Sequence, residues 1–429
     1  MNEIELPSYW KIINLEKICK KKPQNGAFIK KPEWDEGTIF VNVKDTYRDV
    51  VVNLTKVKRL KASLEDVKKY GLKVGDLLFV RSSLKREGIG QCCLIETLIE
   101  PAIFDCHLIR ISTIKEIAYP LYIAYFFLSE PARNDLIARS KTTTMTTINQ
   151  QGLIESTIPL PPLPEQKSIA QTLRTIQKAK QTRQRELELE RERKAALMQY
   201  LFTHGTRNEA LQQTEIGEIP ESWDVVKLES LLREPLKNGH SAPASNSKEG
   251  IRTLILTAVT KNNFSIKNTK LTQANADKVK NLWLEPGDIF IERANTYEMV
   301  GLAALYEGET NFAIYPDLMV RVRVKQETIF PKYLVEFFLT PMCRAYFKKN
   351  ASGTAASMPK IDQGVIRRVN ILLPSYEEQK EIVEISRSCD RKISSLEKEI
   401  AILDELFHAM LEQLMTGKIS TKHLSEIHL

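Results

Sequence analysis

This chain of 429 residues has no long apolar run. No stretch approaches the roughly 18 uncharged apolar residues that cross a bilayer. Its first residues, Met1-Asn2-Glu3-Ile4-Glu5, carry acids where a secretory leader needs basic residues and then an apolar segment. These two absences predict a cytoplasmic protein with no membrane partner. Cysteine is sparse: Cys19, Cys92, Cys93, Cys106, Cys343 and Cys389 show no C-x-x-C pair and no repeated spacing. Free thiols are therefore expected rather than disulfides or metal ligands, with vicinal Cys92-Cys93 in an apolar stretch reading as buried packing. The six histidines are scattered, and no His-x-x-x-His or Cys/His cluster predicts a zinc site. Phosphate-cradling loops are missing too. There is no G-x-x-x-x-G-K-[ST], and Gly88-Ile89-Gly90 is a lone G-x-G.

The composition that remains, 42% hydrophobic and 27% charged, fits a soluble globular protein. The length suits about two to four domains. A net charge of +8 is a modest excess that permits a polyanionic partner without requiring one.

The chain then says the same thing twice. Leu6-Pro7-Ser8-Tyr9-Trp10 returns as Ile219-Pro220-Glu221-Ser222-Trp223, and Val74-Gly75-Asp76-Leu77 as Pro286-Gly287-Asp288-Ile289. Phe126-Phe127-Leu128-Ser129 returns as Phe337-Phe338-Leu339-Thr340, and Glu165-Gln166-Lys167 as Glu378-Gln379-Lys380. The offset stays at 211 to 213 residues throughout. Two related, diverged domains on one chain imply two related, different ligands. Trp10 and Trp223, matched beside prolines, read as core anchors rather than stacking platforms.

Each copy has two parts. The boundaries are 1–158 and 215–373 for the mixed domains, and 159–214 and 374–429 for the segments that follow them. Strands are expected at 38–43, 76–80, 91–96 and 107–112, and again at 253–259, 288–291, 302–306 and 318–324. Single helices are expected at 121–139 and 332–349, each opening just after a proline. The segments that follow are long helices. Ile382, Ile385, Cys389, Ile393, Leu396, Ile400, Leu403, Phe407, Met410 and Leu414 step by three and four, a heptad seam. The first copy keeps that spacing from Ile169 to Leu201, but its middle, 183–194, is nearly all charge. That run is either a solvated face or pairs with acids on a partner. A helix over 165–203 is about 58 Å long, and Gly205 and Gly417 mark the stops. The simplest arrangement is α+β: two similar mixed domains joined by two long helices in an antiparallel coiled coil, with a pseudo-twofold axis.

This order of parts resembles the specificity subunit of type I restriction-modification systems, over essentially the full chain. The strongest match is 158–170, Ile-Pro-Leu-Pro-Pro-Leu-Pro-Glu-Gln-Lys-Ser-Ile-Ala. The Gly-Asp strands leading to Arg81-Ser82 and Arg293-Ala294-Asn295, and the closing Thr416-Gly417-Lys418-Ile419, complete it. The resemblance implies that each mixed domain is a target recognition domain for one half of a bipartite site in double-stranded DNA. It implies that the helices set the spacing and that two adenine-N6 methyltransferase subunits dock around them, joined by restriction-translocase subunits. The shared segments, the prolines, Glu-Gln-Lys and helix ends, would meet those identical partners. No catalysis is expected in this chain, and S-adenosylmethionine, ATP and Mg2+ belong to partner subunits only. The residues agree: no Asn-Pro-Pro-Tyr/Phe or Asp-Pro-Pro-Tyr of an amino-methyltransferase occurs. Pro316-Asp317 and Glu378-Gln379-Lys380 resemble a nuclease acid set, but they lie far apart and Glu378 belongs to a helix start.

DNA readers place cations, amides and hydroxyls on exposed loops. After its Gly-Asp strand the first copy offers Arg81, Ser82, Ser83, Lys85 and Arg86; the second offers Arg293, Asn295 and Thr296. A second cluster precedes the proline-rich segment, with Lys141, Thr142, Thr143 and Thr144 in one copy and Ser352, Thr354 and Lys360 in the other. The blander reading of both clusters is a solvated polar loop. The competing function is a structural scaffold holding two protein-binding domains apart, which leaves the matched arginines unexplained.

Overall fold

The computed structural model describes residues 6–30, 32–245, 249–353 and 358–420. The chain forms two compact units, Met1–Arg185 with Lys398–Leu429, and Glu186–Glu397. Each therefore contains one mixed domain and a portion of both long helices.

The Gly-Asp strand is the axis of each mixed domain. In the first unit, Asp76–Val80 lies between Leu108–Ser112 and Cys92–Leu94, with Gln24–Asn25 at the edge, all antiparallel. In the second, Ile289–Glu292 lies between Met319–Val322 and Ala303–Leu305, with Lys237–Asn238 at the edge. Alternation along these strands feeds two cores at once. Leu77 and Phe79 enter one cluster and Leu78 and Val80 another; Ile289 and Ile291 oppose Phe290 in the same way. The aspartate of the motif is structural. Asp76 Oδ2 accepts the Lys73 N–H at 2.8 Å, and Asp288 Oδ2 accepts that of Glu285 at 2.9 Å. The turn glycines before them, Gly75 and Gly287, stand at φ 97° and 93°.

Three expectations need correction. The helices expected at 121–139 and 332–349 are each two helices, Pro120–Phe126 with Glu130–Ala138 and Pro331–Phe338 with Pro341–Asn350. Pro131 and Pro341 lack the N–H an interior position needs, so each can sit only in the first turn of a new helix. Ser129 and Thr340 take extended N-cap geometry there, and Thr340 Oγ1 accepts the Cys343 N–H. The strand expected at 253–259 is Ile251–Leu254. Beyond Leu254 its partner, Thr269–Thr272, has ended, and a helical turn at Thr257–Thr260 buries Ala258 and Val259 instead.

The charged middle of the first long helix is the third. The helices span Leu163–His204 and Tyr376–Met415. In the first unit Lys180 pairs with Asp404, and Arg183 with Glu399 at 2.9 Å. In the second, Glu186 pairs with Lys392 at 2.8 Å, and Arg191 and Lys194 pair with Glu397 and Asp390 at 2.6 Å each. The partners come from the chain's own second helix, acids for four of these pairs and Lys392 for Glu186, and the pairing is antiparallel within each unit. These pairs are largely exposed, so each contributes under about 1 kcal/mol and serves register more than stability. Lys194→Ala is accordingly expected to lower unfolding stability by less than about 1 kcal/mol, as read by chemical denaturation.

Each domain is clasped by the start of one helix and the end of the other. Ile169, Leu173, Leu411, Leu414 and Met415 join the first core, and Leu201, Phe202, Ile382 and Val383 the second. Trp10 and Trp223 are buried among them. Gln166 and Gln379 are latches. Gln166 accepts the Tyr119 N–H at 2.8 Å and donates to the carbonyls of Ile117 and Pro161. Gln379 accepts the Phe330 N–H at 2.7 Å and donates to those of Thr328 and Pro374. Both side chains are buried within the chain, so the repeated Glu-Gln-Lys segment spends its glutamine internally rather than on a partner. Glu378 is buried too, bonding Trp223 Nε1 at 3.1 Å and the Thr206 N–H at 2.8 Å, which removes it from any nuclease site. Among the described residues no helix is long and apolar enough to cross a membrane.

Candidate nucleic-acid interface

The two polar clusters of each copy, some sixty residues apart in sequence, meet in space. In the first unit Ser82–Ser83 forms a strand on Thr146–Thr147, which pairs in turn with Lys141–Thr142. Arg81 anchors this small sheet, accepting the Ile148 N–H on its carbonyl at 2.9 Å. Lys85 and Arg86 stand exposed on the following loop, and Thr143 and Thr144 at the hairpin tip. The second unit repeats the plan with bridges from Ala294 and Ser352 to Lys360. The Ile361 N–H there reaches the Arg293 carbonyl at 2.8 Å. Thr296, Ser352 and Lys360 are exposed; Thr354 lies outside the described residues.

The arginines are held alike. Arg81 Nη1 donates to the Cys106 carbonyl at 3.4 Å, and Arg293 Nη1 to that of Asp317 at 3.5 Å. Both arginines remain partly exposed. Ser82 is buried and spends its backbone on the sheet, whereas Ser83, Lys85 and Arg86 are accessible. Asn295 is committed internally: its amide donates to Glu292, and its Oδ1 accepts the Thr296 N–H at 2.7 Å.

Several residues of this face escape sequence reasoning. Tyr47, His107 and Met145 line a cleft of about 730 Å3 with Ser82, Ser83 and Lys85. Leu84 is 82% exposed at its rim and Tyr297 52% exposed on the matching loop. Asn25-Gly26 and Asn238-Gly239 press the edge strand against the turn that Arg81 or Arg293 touches. A Cβ at Gly26 would lie 2.2 Å from the Phe104 carbonyl oxygen, and one at Gly239 2.2 Å from that of Tyr315. The repeated Asn-Gly pair was a legible signal. Beneath the loops, Arg133 and Arg344 donate to the carbonyls of Glu87 and Glu298. Burial holds both guanidiniums below the usual arginine range. In each, Nη1 is buried with no partner among the described residues.

Contrary to the expected lack of a Cys/His cluster, Asp105, Cys106 and His107 bring three donor atoms within 4.8 Å of one another. His107 already uses its backbone N–H and ring nitrogen on Asp105 Oδ1, each at 2.7 Å, which makes the group a hydrogen-bonded turn. Pro316-Asp317-Leu318 occupies the matching place in the second unit, so the set does not repeat.

Glu292 is of opposite character. It sits buried under the second loop, where Thr260 Oγ1 donates to it at 2.6 Å, and burial raises its pKa. A carboxyl raised in the fold contributes stability at low pH that is lost as pH climbs from the ordinary carboxylate range through the raised value. Glu292→Gln is therefore expected to stabilise the protein at pH 8 and to lose that advantage as pH falls toward 4. Denaturation of both proteins across that range measures it; a difference that ignores pH would remove burial as the cause.

A mixed domain presenting arginine and hydroxyl groups, built twice and clasped by paired helices, defines a two-headed recognition protein. The chain belongs to the family of type I restriction modification DNA specificity domains, whose family model matches residues 7–191 and again 220–405. It is 28% identical over 337 residues to the type I restriction enzyme MjaVIII specificity subunit of Methanocaldococcus jannaschii, covering 75% of this chain and 76% of that protein. It is 26% identical over 325 residues to the type I restriction enzyme EcoKI specificity subunit of Escherichia coli K12, covering 73% of this chain and 68% of that protein.

 A further M. jannaschii protein, assigned as the MjaX specificity subunit, is 30% identical over 213 residues, and that match spans about half the length of each chain (49% of both). Among solved structures, a chain from a study of complex assembly and conformational transition of the type I R-M system covers 97% of this chain at a TM-score of 0.61 and 16% identity. The type I restriction-modification S subunit from M. genitalium covers 96% at 0.55 and 13%. These two likenesses show the fold.

Proposed function

We propose that this chain is the non-catalytic subunit that gives a type I restriction-modification complex its DNA sequence. Each mixed domain reads one half of a bipartite, asymmetric site in double-stranded DNA, and the paired helices set the spacing. Two adenine-N6 methyltransferase subunits dock around the helices, restriction-translocase subunits join them, and S-adenosylmethionine, ATP and Mg2+ bind those partner subunits only. The observation that carries this reading is the repeated face: an arginine after the Gly-Asp strand, joined to a hydroxyl- and lysine-bearing segment, in both units. The proposed contacts are Arg81, Ser83, Lys85, Arg86 and 141–144 in one unit, and Arg293, Thr296, Ser352, Thr354 and Lys360 in the other, with Ser82 and Asn295 shaping the loops. A scaffold with two protein-binding domains has no need of this cationic repetition.

Mapping methylated adenines genome-wide with and without the chain tests the proposal. A bipartite motif that vanishes with the chain is expected; the same motif persisting without it overturns the reading. The affinity of the assembled complex should also fall log-linearly with salt, with a slope that counts neutralised phosphates.

A further inference from the structure

Gln150 and Gln363 open matching short helices, Gln150–Ile154 and Gln363–Arg367. Gln150 Nε2 donates to Asn25 Oδ1 at 3.0 Å, and Gln363 Nε2 donates to Asn238 Oδ1 at 3.0 Å. Each glutamine stands two residues after the isoleucine whose N–H meets the Arg81 or Arg293 carbonyl. Each asparagine immediately precedes the glycine pressed against the turn those arginines touch. An amide pair and an arginine are thus built into one place, twice, from segments 125 residues apart.

The residues around this constellation differ between units; the constellation does not. Divergent side chains suit bases that differ between half-sites, and identical ones suit a feature the half-sites share. The chemistry names that feature. One Nε2 hydrogen of each glutamine is spent on asparagine, which fixes the amide's orientation. The other hydrogen and Oε1 have no partner among the described residues, and both glutamines are only half-buried. A donor beside an acceptor on one amide complements adenine, whose N7 accepts and whose N6 amino group donates in the major groove.

We propose that Gln150 and Gln363 each read an adenine at the matching position of their half-site, with Asn25 and Asn238 as positioning residues. This rests on the function proposed above. The test is selection from a pool of randomised duplex DNA by the full chain assembled with its methyltransferase subunits. Gln150→Leu is expected to lose the preference for adenine at one position of one half-site by about tenfold, and Gln363→Leu at the matching position of the other. Gln150→Glu keeps the acceptor and loses the donor. It should move the preference toward cytosine, whose amino group donates, while a flipped Asn25 amide retains the local bond. That shift is one a merely structural latch would not produce. Unchanged base preferences, or a loss of affinity equal for all sequences, overturn the inference and leave the proposed function standing. A wild-type complex that selects no sequence overturns the function and the inference with it.

Discussion

Replacing Gln379 with leucine is expected to cost the second unit about 3–6 kcal/mol. The side chain is completely buried and makes three bonds, all to backbone: it accepts from Phe330 and donates to Thr328 and Pro374. Leucine fills a similar volume but leaves one N–H and two carbonyls without partners, at about 1–3 kcal/mol for each that is shut from water and less at Thr328, which is exposed. That loss is a large part of the 5–15 kcal/mol typical of a folded protein. Gln166→Leu should do the same to the first unit, where Tyr119, Ile117 and Pro161 are the partners. Urea denaturation of each variant is the measurement, and a loss under about 1 kcal/mol would show that water or relaxation replaces the latch. The repeated Glu-Gln-Lys segment would then be free for the partner role that its resemblance implies.

The second large effect concerns sequence choice. Exchanging residues 1–158 for the equivalent domain of another specificity subunit should replace one half of the recognised site and leave the other intact. Every reading element of the first unit falls inside that segment: Asn25, Arg81 to Arg86, the turn at Cys106, the hairpin from Lys141 and Gln150. Discrimination against the old half-site should reach about a thousandfold, as several base pairs at about 1–3 kcal/mol each would give. The incoming domain must still accept Leu411, Leu414 and Met415, which pack into this core from the second helix, and the close approach of Gly417 to Pro7. Sequencing of methylated sites in cells carrying the hybrid decides it. A hybrid that changes both halves, or neither, would contradict independent readers.

Much of this architecture is local and was readable as such. A strand's alternation and a helix's heptad each follow from neighbours within a turn or two, so the Gly-Asp strands and both long helices are found near their expected places. Misreadings came where local signals were ambiguous. An apolar stretch through Pro131 or Pro341 looks like one helix until the missing N–H is counted, and 253–259 looks like one strand until its partner ends.

The amino-acid sequence by itself determined the duplication, the two helices and the arginine that follows each Gly-Asp strand, because each depends on residue order alone. Only the tertiary structure decided what meets what. It joined Ser82–Ser83 to Thr146–Thr147, matched the charged middle of one helix to acids more than two hundred residues away, and set Gln150 against Asn25. Such contacts form when closing a long loop is repaid by burial and hydrogen bonding elsewhere in the fold, and no local pattern records where that balance falls.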